Sequence, residues 1–157
     1  MRLTKRILKN KALDVEWSNP TENQRLAVKM IHFMKQEHGI GLTAPQIGIG
    51  KRLFVMHTDG KYRMCFNPKL LSVSKEIETY NEGCLSFKDI FYNIERPATI
   101  EVLYYDYIGN SFKEELTGIS ARCFLHELDH LDGIVFKQRL EKKVPKKYDY
   151  ANIKSGS

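Results

Sequence analysis

No apolar run in this chain approaches the roughly 18 residues that a membrane span needs, so no transmembrane helix is expected. The basic start, Met1-Arg2-Leu3-Thr4-Lys5-Arg6-Ile7-Leu8, is not followed by an apolar stretch. A secretory signal is therefore not expected, although an organellar transit peptide removed earlier is compatible with this start. Internal repeats, low-complexity tracts and linkers are missing, which leaves 157 residues as one domain with enough chain to bury a core. Cysteine is sparse and odd in number: Cys65, Cys84 and Cys123. That count argues against a disulfide framework and for a reducing compartment, where a metal-bound thiolate is also at home. Charge is not balanced. Twenty-five Lys and Arg against nineteen Asp and Glu leave +6. The excess suits either a soluble basic surface or an anionic partner such as RNA or the ribosome, and no RNA-binding fingerprint chooses between them.

What the chain does have is His126-Glu127-Leu128-Asp129-His130. The spacing predicts a helix over 117–131, capped by Thr117 and stopped by Gly133. Histidines at i and i+4 share one helix face and can bind one metal ion, while the intervening Glu127 is placed to act as general base. The same pattern could arise by chance on a surface helix. Here Phe124, Leu125, Leu128 and Leu131 surround the histidines, so the helix is expected to be buried on at least one side, and buried imidazoles need a partner. The best third ligand is Cys84 in Glu82-Gly83-Cys84-Leu85-Ser86. A Cys/His/His set leaves a fourth position for water, the mark of a catalytic site, and does not by itself select among Fe, Ni, Co and Zn. Glu82 could anchor a neighbouring cation. Cys123 and Cys65 read as buried core thiols. Asp129 is either an acceptor for a ligating imidazole or a solvated helix residue. His32, His38 and His57 show no ligand spacing.

Elsewhere, Asn19-Pro20 opens a first helix whose apolar positions Leu26, Met30, Ile31, Phe33 and Met34 form one stripe, and Gly39 is expected to end it in the left-handed conformation. Residues 39–46, Gly-Ile-Gly-Leu-Thr-Ala-Pro-Gln, read as a small-residue loop. Strands are expected over 53–57 and 62–66 about an Asp59-Gly60 turn, weakly over 72–80, over 98–105 with Ile100, Val102 and Tyr104 on one face, and over 111–116 after a Gly109-Asn110 turn. A short strand is expected over 134–136. Strands followed by a late core helix predict an α+β fold: antiparallel sheets wrapped around a central metal-binding helix, with the N-terminal helix packed alongside. Residues 1–140 are expected as the catalytic domain and 141–157 as a short, basic, mobile tail.

Three segments together, Gly39-Ile40-Gly41-Leu42-Thr43-Ala44-Pro45-Gln46, Glu82-Gly83-Cys84-Leu85-Ser86 and His126-Glu127-Leu128-Asp129-His130, resemble the three signature motifs of peptide deformylases, in the family's order. The resemblance covers about residues 1–140, including the leading helix and the Glu95-Arg96-Pro97 step. It implies that Cys84, His126 and His130 bind one divalent ion, Fe(II) in the first place, with Ni(II), Co(II) or Zn(II) substituting. Glu127 is then the general acid/base, and Gln46 and the Leu85 N–H form the oxyanion hole. The backbone of Ile40 and Gly41 would pair with the substrate as an added strand. Glu82 would orient the site by pairing with Arg96, and the substrate methionine would enter a pocket near Cys123 and His126. The implied reaction is hydrolysis of the N-terminal formyl group of formyl-methionine on new polypeptides. The expected setting is the cytoplasm of a bacterial or phage-infected cell, with an organelle also compatible.

Two features depart from the family pattern. Thr43 stands where alanine is usual. The C-terminus is shorter than the extended helix of many bacterial members and is interrupted by Pro145, leaving ribosome or RNA contact to the charge of the basic tail alone.

Overall fold

The computed structural model describes residues 1–4 and 10–154, with Lys88 described in its backbone only. Helix α1 (Pro20–Gln36) starts where the sequence predicts: the Asn19 side chain accepts from the Glu22 N–H, and Pro20 supplies the fixed φ of the first turn. It buries Ala27, Met30, Phe33 and Met34 against strands. Leu26 and Ile31 pack at the margin of that stripe. The helix end departs from expectation. The left-handed residue is His38 (φ 57°), and Gly39 N–H reaches back to Met34 O at 3.0 Å while His38 N–H reaches Lys35 O at 3.1 Å. Gly39 serves a different need: a Cβ there would lie 2.6 Å from Leu85 Cδ1.

The segment expected as a loop is partly a strand, β1 (Gly41–Thr43), followed by a 3-10 turn, Ala44–Ile47. β2 (Leu53–Thr58) and β3 (Lys61–Val73) are joined by Asp59-Gly60 with positive φ at both residues, the two-residue hairpin that the Asp-Gly pair predicts. β3 runs seven residues past its expected end, and the weakly alternating stretch over 72–80 splits between it and β4 (Ile77–Cys84). β5 (Phe87–Pro97) was not expected; it pairs with β4 as a separate two-stranded sheet. β6 (Thr99–Tyr105) buries Ile100, Val102 and Tyr104 as its alternation predicts. Its connection to β7 (Ser111–Thr117) is longer than a Gly109-Asn110 turn: the Asp106 carboxylate accepts from the N–H groups of Ile108, Gly109 and Asn110. The larger sheet is antiparallel in the order β1-β2-β3-β6-β7, so β1 is an edge.

Helix α2 (Gly118–Leu131) lies in the middle. Every residue from Ser120 to Leu131 is buried, so it is enclosed on all sides rather than amphipathic. Thr117 stands at its N-terminus without a side-chain cap, and Gly133 (φ 76°) ends the turn that follows it. Phe124 packs edge-on against Phe54 of β2 at 5.0 Å. Antiparallel sheets around a central helix, with α1 alongside, make this an α+β fold. Ile134 and Phe136 are buried, but the segment expected as a strand is irregular at residues 134 and 135 and leads into α3 (Phe136–Leu140). Three apolar residues satisfy either period, and Phe136 docks against Tyr92 and His126.

The tail expected to be mobile is seated against the body as far as it is described. Tyr150 and Ile153 pack on the core, and Lys154 O accepts from Val73 N–H at 3.0 Å. Residues 155–157, and residues 5–9 of the basic start, lie outside the described residues. No helix among the described residues is long and apolar enough to cross a membrane.

One surface feature of the large sheet gives a pH test. Arg63 on β3 reaches over β6 to Glu114 on β7 with Nε–Oε2 of 3.0 Å and Nη2–Oε1 of 3.2 Å, and the Tyr104 hydroxyl donates to the same carboxylate. Burial alone would raise the Glu114 pKa; the Arg63 and Tyr104 hydrogen bonds overcome it and hold the group at about 2. A carboxyl depressed in the fold stabilises above its ordinary 4.5 and loses that contribution as pH falls toward 2. Glu114→Gln is expected to lower the Tm by about 2–4 °C at pH 7, allowing for solvent screening, with the gap closing between pH 4.5 and 2. A Tm difference independent of pH in thermal melts would show that packing, not charge, is at stake.

Candidate active site

The second hairpin faces the central helix. β4 brings Cys84, partly buried, to the end of α2 that carries His126 and His130. Cys84 Sγ lies 3.3 Å from His130 Nε2, the two Nε2 atoms are 3.2 Å apart, and the three ligand atoms lie within 4.8 Å of one another. In a tetrahedral site with bonds of about 2.0–2.3 Å, neighbouring donors sit about 3.3–3.6 Å apart, so the cluster has the size that a small cation requires.

The protonation pattern agrees. Glu82 Oε1 lies 2.8 Å from His126 Nδ1, which puts the proton there and leaves Nε2 presenting its lone pair to the cluster. Burial works against a charge on His126, but hydrogen bonds to Cys84 and Glu82 and the nearby Glu127 raise its pKa to about 10. Burial and the adjacent His126 push His130 down to about 3. With Nδ1–H of His126 bound to Glu82, the Nε2 atoms of both rings face the cluster, where a divalent ion would take the place of a proton.

Glu82 is the organiser behind the cluster. Arg96 grips it with two parallel bonds, Nε–Oε2 of 2.7 Å and Nη2–Oε1 of 2.9 Å, and Arg122 contacts Oε2 as well. Its carboxyl is held far below the usual range: burial would raise it, but the Arg96 charge and the hydrogen bonds to His126 and Arg96 prevail. Asp129 is not solvated; it is buried and binds Arg96 Nη1 at 2.9 Å and Arg139 through both oxygens. The acceptor for the His126 N–H is thus Glu82, and Asp129 holds the arginines. Sequence reasoning missed Arg122 and Arg139. Arg122 had a signal: a cation one turn before His126, among Ala121, Cys123, Phe124 and Leu125, has to be buried with a partner.

Glu127 is buried, its Oε1 3.9 Å from His126 Nε2 and its Oε2 without a hydrogen-bond partner. Burial, reinforced by the charges of Glu82 and Asp129 against the pull of His126, raises its pKa to about 7. Gly41 of β1 lies directly over it: a Cβ at Gly41 would come within 2.9 Å of Glu127 Oε1 and of Cys123 Sγ. Only glycine lets the sheet edge approach the acid this closely. Ile40, immediately before, is half exposed and its carbonyl accepts from His57 N–H at 2.8 Å.

Gln46 is fixed by the 3-10 turn. Thr43 N–H and the Thr43 hydroxyl both donate to its Oε1, at 2.9 and 3.1 Å, so the Thr43 hydroxyl helps to orient the amide. The amide Nε2 then points to Ser86 Oγ at 3.2 Å and Cys84 Sγ at 3.5 Å. A cavity of about 580 Å³ opens between β1 and the β4–β5 hairpin. Ile40, Gly41, Gln46, Leu85, Cys123 and Glu127 are all on its wall. Every site residue predicted from the sequence is therefore gathered in this region, with Arg96 buried behind it and Cys123 at its floor beneath Gly41.

The comparisons with known proteins point the same way. The model of the polypeptide deformylase family matches residues 1–146. A peptide deformylase of Thermotoga neapolitana is 42% identical over 118 residues, covering 75% of this chain and 72% of that protein. One of Synechococcus sp. (strain RCC307) is 38% identical over 122 residues, and the match covers 74% of this chain but 61% of the relative's length. Among solved structures, the peptide deformylase of Thermotoga maritima superposes with a TM-score of 0.83 at 39% identity, covering 88% of this chain and 94% of that one. Peptide deformylase 1B of Arabidopsis thaliana, in complex with an inhibitor, gives 0.83 at 30% identity, over 94% and 83%. A matching family model across nearly the whole chain, on a site of this geometry, settles the kinship: the chain belongs to the polypeptide deformylase family.

Proposed function

We propose that this chain removes the formyl group from N-formylmethionyl peptides, releasing formate and a free amino terminus. The observation that carries the reading is the convergence of Cys84, His126 and His130 on one point beside the buried Glu127, at the wall of a cavity edged by β1. Those three residues hold one divalent ion, Fe(II) by preference, with Ni(II), Co(II) or Zn(II) as substitutes. When bound, the ion polarises the formyl carbonyl and makes water acidic near neutral pH.

The protein groups do the rest. A peptide backbone lies along the free edge of β1 and exchanges hydrogen bonds with Ile40 and Gly41. The methionine side chain enters the apolar space near Cys123 and His126. Glu127 takes a proton from water, and the hydroxide oxygen bonds to the formyl carbon. The oxyanion accepts hydrogen bonds from Gln46 Nε2 and the Leu85 N–H. Glu127 gives the proton to the leaving nitrogen, the C–N bond breaks, and formate departs. A carboxyl poised near neutral pH suits both transfers. Glu82, itself held by Arg96, keeps the His126 imidazole in place throughout.

The setting that fits is the cytoplasm. Lys142, Lys143, Lys146 and Lys147 are exposed and give the C-terminal segment a positive face for weak contact with ribosomal RNA.

The test is formate release from formyl-Met-Ala-Ser by protein loaded anaerobically with Fe(II), and in parallel with Ni(II). Fast release with either ion is expected. A folded, metal-loaded chain that cleaves internal peptide bonds but frees no formate would replace this reading with a metallopeptidase.

A further inference from the structure

Tyr150 sits seven residues from the end of the chain, beyond the helices and sheets that build the site. Its 3-10 turn, Tyr150–Asn152, is anchored on both sides: Asp149 Oδ1 accepts from Ala151 N–H, Ile153 packs on the core, and Lys154 joins Val73. The ring lies under the Arg139 guanidinium at 4.0 Å, and the hydroxyl lies 2.6 Å from Arg96 Nη1.

Arg96 is buried, so its donors have to be met by groups of the protein. Its Nε and Nη2 are committed to the two oxygens of Glu82, and Nη1 is shared between Asp129 and Tyr150. The hydroxyl is thus the acceptor for the second Nη1 proton, which would otherwise be an unsatisfied buried donor. Arg96 in turn sets the plane of the Glu82 carboxylate, and Glu82 accepts a hydrogen bond from His126 Nδ1–H. Three successive hydrogen bonds link Tyr150 to a ring whose other nitrogen faces the ligand cluster. Asp129 and Arg139 close the loop, because Arg139, which Asp129 binds alongside Arg96, covers the Tyr150 ring.

We infer that Tyr150 is a positioning residue of the metal centre: through Arg96 and Glu82 its hydroxyl fixes the orientation of His126, so the C-terminal segment is a working part of the site. The inference rests on the reading of Cys84, His126 and His130 as metal ligands. A purely structural Tyr150 would act through its ring, which plugs the space under Arg139. A positioning Tyr150 acts through its oxygen.

Tyr150→Phe in the full chain keeps the ring and removes the oxygen. Loaded with Ni(II) and challenged with excess EDTA, it is expected to release metal about tenfold faster than the unmodified chain, the lower end of what loss of an outer-shell partner typically costs. Its kcat on formyl-Met-Ala-Ser is expected to fall with KM unchanged. Ile153→Ala trims core packing while Asp149, Lys154 and the stack on Arg139 still hold the Tyr150 hydroxyl on Arg96, so it is expected to lower the Tm while releasing Ni(II) at the unmodified rate. Unmodified Ni(II) release from Tyr150→Phe would overturn the inference, and so would equal acceleration in both variants. An unmodified chain that binds no Ni(II) would remove the ligand reading and this inference together, whereas faster Ni(II) release from Tyr150→Phe in a chain without deformylase activity would sustain the inference and sink only the proposed reaction.

Discussion

Glu127→Gln is expected to bind metal and fold as before, and to release formate from formyl-Met-Ala-Ser at least about a hundredfold more slowly. The substitution is close to isosteric, so the space beneath Gly41, where a single added carbon would already collide with Glu127, stays filled without strain. Burial already disfavours the ionised Glu127. Replacing it with a neutral amide is therefore not expected to lower the Tm. The carboxylate Oε2, which has no hydrogen-bond partner among the described residues, is the atom free to handle a substrate proton, and an amide can neither take that proton nor return it. Metal content by atomic absorption, alongside the formate assay, checks both halves. Turnover within a few-fold of normal would move the proton transfer to another group.

The second large effect belongs to Glu82. Glu82→Ala would leave Arg96 and Arg122 buried with much of their countercharge gone, and would take the acceptor from His126 Nδ1. Breaking a buried ion pair by removing one partner costs about 3–5 kcal/mol, which for a chain of this size is a Tm lower by about 10 °C. Metal affinity is expected to fall by about 10–100-fold as well, because His126 loses the bond that orients it. Calorimetry reads the first effect and an EDTA challenge the second. Adding Arg96→Leu to Glu82→Ala should restore part of the lost stability, since one uncompensated charge is gone. If Glu82→Ala melted within two or three degrees of normal, the arginines would have to be finding other partners, and the tightly coupled picture of this cluster would fail.

Helix α2 was legible because two independent patterns coincided: metal-ligand spacing of the histidines and apolar residues on every side of them. The start of α1 was legible for a local reason, Asn19-Pro20, but its end was not. Either His38 or Gly39 could take the left-handed position, and Gly39 was already committed to making room for Leu85. β5 was not expected because its order comes from pairing with β4 rather than from burying one face: among its described residues Ile94, Arg96 and Pro97 are buried, while the apolar Ile90 and Phe91 are exposed. The cluster around Glu82 was half legible. Glu82 and Arg96 came from the family resemblance, as did the roles assigned to Leu85 and Ile40. Arg139 and Tyr150 could not be placed, since nothing local connects residues 139 and 150 to position 96. Their partnership is made by the chain folding back over the second hairpin.

The free edge of β1 carries a last implication. A strand recognised through its N–H and C=O groups is read without regard to the side chains along it, because those groups are common to all amino acids. Under the proposed function, selectivity then has to come from what is shared by every intended substrate: an extended backbone, one apolar side chain and a blocked terminus. A catalyst arranged as proposed would be a generalist over downstream sequence and a specialist for the beginning of a chain.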